Sequence, residues 1–140
     1  MKYENSIRTL INLGYKEEDI EKIVDAYPLN NMRDDTLSKN IKNNYNTLVS
    51  LGYSLQDFIE MTKTLPQLFG LSEENIKTKI NFLVGLGYNN QDVIKMTKTL
   101  PQLFSYSEEN IKTKINFLVG LGYSIQDVIK MTKHCQLYLV

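Results

Sequence analysis

Residues 72–104 read SEENIKTKINFLVGLGYNNQDVIKMTKTLPQLF, and this one string contains a complete structural unit. Ser72 is placed to cap a helix, and Glu73 and Glu74 fall in its first turn, where the positive end of the helix dipole favours carboxylates. Ile76, Ile80, Leu83 and Val84 follow at i, i+4, i+7 and i+8, an apolar stripe at helical spacing. Gly87 then stands where a left-handed C-terminal cap is wanted. A second helix begins almost at once and ends before Leu100-Pro101, because proline cannot donate to a continuing ladder and pushes its predecessor out of the helical region. The remaining Gln-Leu-Phe suits a single 3₁₀ turn.

The unit recurs. Leu-Gly-Tyr places its glycine at Gly14, Gly52, Gly87 and Gly122, with separations of 38, 35 and 35 residues, a period that signals a helical array. Between residues 51–85 and 86–120, 29 of 35 positions are identical, and MTKTLPQLF occurs unchanged at 61–69 and 96–104. In the last copy, Ser124 and Asp127 form a capping-box-like pair, with Tyr123 and Val128 in the places of a hydrophobic staple. Only two or three residues join the paired helices, so they must turn back on each other. The expectation is an all-α solenoid, a single domain over 1–140 made of two-helix-plus-3₁₀ units at about 1–34, 35–70, 71–105 and 106–140. The first unit has helices over Glu4 to Leu13 and Lys16 to Tyr27, broken at Pro28. In the last, MTKHCQLYL at 131–139 lacks the proline, which reads as the end of the array.

Composition is that of an ordinary globular chain, with 42% hydrophobic and 23% charged residues. No apolar run reaches the roughly 18 residues of a membrane span, and the first residues resemble neither a signal peptide nor a transit peptide, so a soluble intracellular protein is expected. The lone Cys135 excludes an internal disulfide, and with His134 it supplies too few ligands for zinc. Adjacent on a helix, His134 and Cys135 point about 100° apart and have no third orienting group, so they do not form a nucleophile and base. No glycine-rich phosphate loop or metal-ligand spacing is present; no cofactor and no enzymatic activity are expected.

Leu-Gly-Tyr ahead of a second helix, then Leu-Pro-x-Leu-Phe and a capped helix, resembles the mitochondrial transcription termination factor (mTERF) repeat. Pro28, Pro66 and Pro101 take the proline place of that repeat, and Leu13-Gly14, Leu51-Gly52, Leu86-Gly87 and Leu121-Gly122 its Leu-Gly place. The resemblance implies two helices and a short 3₁₀ helix per unit, and binding of double-stranded DNA or structured RNA along a basic groove. Pentatricopeptide repeats share the period but lack the proline followed by Leu-Phe.

The formal charge is zero, yet residues 1–71 carry 8 basic and 10 acidic side chains and residues 72–140 carry 8 and 6. On the second helices Gln91, Lys95 and Lys98 share one face, as do Gln126, Lys130 and Lys133 a unit later. Stacking would set equivalent lysines about 10 Å apart in ladders, joined by Lys77, Lys79, Lys112 and Lys114 of the first helices. These ten residues are the candidate contacts to a phosphate backbone, with little sequence preference. The alternative function is a scaffold that binds a protein partner. Phe69, Phe82, Phe104, Phe117 and the recurrent tyrosines read as packing residues. The apolar tail Gln136–Val140 should fold back over its own unit or be covered by another chain, which makes the C-terminal end a candidate for self-association.

Overall fold

The computed structural model of the chain describes residues 2–139, with the backbone alone for Leu137. Val140, the last residue of the tail considered above, lies outside the described residues. Every regular element described is helical: α1 (Glu4–Leu13), α2 (Glu17–Asp25), α3 (Asp34–Ser50), α4 (Leu55–Thr64), α5 (Glu73–Leu86), α6 (Asn90–Thr99), α7 (Glu108–Gly120) and α8 (Ile125–His134). A 3₁₀ turn follows each even-numbered helix, at Leu29–Asn31, Pro66–Gly70, Pro101–Phe104 and Gln136–Leu139. The architecture is thus the all-α helical-repeat class expected of the sequence. No helix among the described residues is long and apolar enough to cross a membrane.

Local chemistry sets these boundaries. Ser54 accepts from Asp57 N at 3.0 Å while Asp57 Oδ2 accepts from Ser54 N at 3.0 Å, a full capping box at the start of α4. Ser124 makes the forward half, accepting from Asp127 N at 3.1 Å, and Asn89 does the same for Asp92 N at 2.7 Å. Gly14 and Gly87, at φ 105° and 123°, supply the left-handed turn that lets each second helix start so soon after the first. Helices α4 and α6 stop at Thr64 and Thr99, just ahead of Leu-Pro. After α8 the turn at Gln136–Leu139 forms without a proline, so proline is not needed for that turn; it packs on α7 and α8 and buries Leu139. The described part of the tail therefore folds back over its own unit.

The chain divides into two compact units, Met1–Asn75 and Ile76–Val140, with the division inside the first turns of α5. In the first unit α1 packs on α3 and α2 on α4, so first helices stack on first helices and second on second. Its core centres on Phe58, whose ring meets Tyr45 and Phe69 edge-on at centroid distances of 5.4 and 5.7 Å. In the second unit α6 packs on α8, and Ile76, Leu83, Val93, Met96, Ile111 and Val128 are fully buried.

Two apolar residues sit where the sequence does not lead one to expect them. Val84 belongs to the predicted stripe of α5 but is exposed, because only Ile76, Ile80 and Leu83 of that stripe turn inward. Phe117, read from the sequence as a packing residue, is 64% exposed on α7.

Candidate nucleic-acid interface

The second helices are held together by a seam built from the most repetitive letters of the sequence. Tyr15, just after the Gly14 cap, is buried, and its hydroxyl lies 2.5 Å from Thr62 Oγ1 on α4. Thr62 Oγ1 already donates to Phe58 O at 2.8 Å, so its one proton is committed and the phenol is the donor to threonine. The same arrangement joins Tyr88 to Thr132, which donates to Val128 O at 2.7 Å. Burial pushes both phenols above the ordinary tyrosine range, with the threonine hydrogen bond opposing it. Beside each tyrosine–threonine pair lies an ion pair: Lys63 Nζ is 3.6 Å from Asp19 Oδ2, and Lys133 Nζ is 3.9 Å from Asp92 Oδ2.

This seam decides which predicted lysines face solvent. Lys133, placed by the sequence in a phosphate-contacting ladder, is half-buried in its pair with Asp92; a long side chain bends towards the nearest carboxylate, which a helical wheel cannot register. Lys98, at the same place on α6, is exposed and also engaged. Lys79 is 8% exposed, and its ammonium donates to the carbonyl of Tyr106 at the start of the next first helix. Burial pushes the Lys79 pKa below the ordinary lysine range, with Glu108 opposing. Its position in the repeat is that of Ser6 and Asn44, both buried, so it is a packing position that happens to hold a lysine.

Seven of the predicted residues remain on the surface away from this seam. Lys95 and Lys130 occupy equivalent positions on the adjacent helices α6 and α8, and both are exposed with no ion-pair partner among the described residues. Gln91 and Gln126 lie one turn earlier on the same helices, also exposed. On α7, Lys114 is exposed, and Lys112 stands over the Phe82 ring of α5 at 5.6 Å from its centroid. Lys77 on α5 is exposed and engaged.

Charge follows the division into units more sharply than any cut chosen from the sequence. Met1–Asn75 holds 8 basic and 12 acidic side chains, and Ile76–Val140 holds 8 lysines and 4 carboxylates. Two of those four carboxylates are close to lysines already described: Asp92 to Lys133, and Glu108 to Lys79. The second unit therefore presents a net positive surface inside a neutral chain.

The residues that sequence reasoning missed are the threonines. Thr62 and Thr132 belong to no motif read from the sequence, and the available signal was that α2 carries Val24 and Asp25 where the later second helices carry Thr and Lys. Among curated proteins, none shows significant similarity to the chain. The mTERF family model matches residues 29–140, from the first 3₁₀ turn onwards. With helix, helix and 3₁₀ turn recurring in that order across the matched span, the chain belongs to the mTERF family.

Proposed function

We propose that the protein is a non-enzymatic nucleic-acid-binding helical-repeat module whose second unit contacts the phosphate backbone of double-stranded DNA or structured RNA. The observation that carries this reading is the pair Lys95 and Lys130, exposed and without carboxylate partners on adjacent helices of a unit with twice as many lysines as acids. Lys112, Lys114 and Lys77 add cationic surface from the first helices, and Gln91 and Gln126 add donors to phosphate oxygens. Lysines acting as point charges on flexible stems position a backbone without reading bases, so discrimination between sequences should be small. Membership of the mTERF family supports the choice of ligand class.

The test is fluorescence anisotropy with a labelled DNA duplex and a labelled RNA hairpin at about 50 and 200 mM salt. Binding at the lower salt that weakens by about tenfold or more at the higher is expected. Replacing Lys95 and Lys130 together with glutamate should weaken binding by a further tenfold or so and flatten the salt dependence. No binding at the lower salt, or affinity indifferent to both salt and K95E/K130E, overturns the reading.

A further inference from the structure

The seam between second helices has two halves, and the last one in the chain is half-built. At Gly14 the Cδ1 of Ile59 comes within 3.9 Å of the Cβ position, and at Gly87 the Cγ1 of Ile129 comes within 3.5 Å. The covering helix thus presents three residues on one face at i, i+3 and i+4: Ile59, Thr62 and Lys63 on α4, and Ile129, Thr132 and Lys133 on α8. They meet a glycine, the tyrosine next to it, and an aspartate four residues further on: Gly14, Tyr15 and Asp19, or Gly87, Tyr88 and Asp92.

Gly122, Tyr123 and Asp127 repeat that receiving triad, and nothing among the described residues covers it. Apart from Gly122 and its two chain neighbours, no described heavy atom lies within 4 Å of the Cβ position of Gly122. Tyr123 is 44% exposed where Tyr88 is 1% exposed, and Asp127 is exposed where Asp19 and Asp92 are half-buried. Phe117 and Leu121 of the chain leading into the triad are exposed as well and add apolar surface beside it.

We propose that this edge of the second unit is a docking surface for a helix of a partner protein that presents isoleucine, threonine and lysine at i, i+3 and i+4. The two covered seams define the occupant: an apolar side chain over Gly122, a hydroxyl that accepts from the Tyr123 phenol, and a cation facing Asp127. A second copy of this chain does not meet these terms. Its α4 and α8 already use their threonine and lysine, Thr97 and Lys98 of α6 are engaged, and α2 offers Glu21, Val24 and Asp25, an acid against an acid. The inference is independent of nucleic-acid binding, since Lys95 and Lys130 take no part in it.

The probe is a labelled peptide of residues 89–104, held helical by a staple between the positions of Asp92 and Met96, on the face away from Ile94, Thr97 and Lys98. Titrated with the full chain, it should bind saturably below about 1 mM. Asp127→Lys should weaken that binding by about tenfold or more, and a peptide carrying Lys98→Asp should recover it. Tyr123→Ala, at an exposed position that leaves folding intact by circular dichroism, should weaken it too. Failure of the peptide to saturate, or equal binding to the chain and to D127K, overturns the proposal. So does sedimentation of the chain alone as a dimer that D127K dissolves, because the occupant would then be a second copy.

Discussion

The two compact units join their second helices in the same way and their first helices in opposite ways. Tyr15–Thr62 with Asp19–Lys63 in one unit is matched pair for pair by Tyr88–Thr132 with Asp92–Lys133 in the other. Between first helices, the acidic unit uses a carboxylate: Asp34 on α3 accepts from Asn5 N and Ser6 N at 2.9 Å each, and from the Ser6 hydroxyl at 2.7 Å, capping α1 from outside. The basic unit uses a cation, with Lys79 donating to the Tyr106 carbonyl. The seam between second helices is therefore the fixed part of the repeat, and charge is free to vary elsewhere. That freedom is what allows one unit to become cationic without loss of the array.

Breaking the shared seam should have the largest effect. Thr132→Val leaves a buried phenol without its acceptor and should cost about 1–3 kcal/mol by urea denaturation, and Thr62→Val about the same in the other unit. Adding Tyr88→Phe to Thr132→Val should restore most of the loss, since an apolar pair leaves nothing unsatisfied. A loss confined to one of the two threonines would show that the seams are not equivalent.

Asp34→Asn comes next and should affect only the first unit, by about 1 kcal/mol, because it weakens an N-terminal cap that the second unit does not have. Burial tends to raise the Asp34 pKa, but the hydrogen bonds from Asn5 and Ser6 outweigh it and hold the carboxyl below the usual carboxylate range. The stability it contributes is therefore complete above the ordinary aspartate pKa and is lost as pH falls through the lowered value. Denaturation series down an acid gradient should be flatter for D34N than for the parent chain.

Smallest of all should be Lys63→Met and Lys133→Met, within about 1 kcal/mol, because both ion pairs are partly exposed and screened. A larger loss at Lys133 would mean that the ion pair, rather than the hydroxyl pair, fixes the seam of the second unit.

Most of the fold was legible because its signals are local. Ser54 and Ser124, the glycines after each first helix and the prolines after α4 and α6 act within a few residues of themselves, and each boundary they predict lies where the structure has it. The candidate site was less legible because solvent exposure of a lysine depends on partners far along the chain. Lys95 and Lys130 face solvent as their helical face suggests, whereas Lys133 is drawn to a carboxylate 41 positions away and Lys79 occupies a position made for small buried polar groups. Tyr123 and Phe117 share their letters with residues inside the array, and only the absence of a covering helix among the described residues separates their surroundings.

The six substitutions between residues 51–85 and 86–120 fall at Ser54/Asn89, Leu55/Asn90, Phe58/Val93, Glu60/Lys95, Gly70/Ser105 and Leu71/Tyr106. None touches the glycine, tyrosine, aspartate, isoleucine, threonine or lysine of the seam. A segment that carries both the receiving triad and the inserting triad is self-compatible: copied in tandem, it meets its own duplicate without any compensating change. Such a segment can lengthen a gene by simple duplication, and the Glu60/Lys95 difference indicates how a new copy, once seated, can acquire a charge of its own.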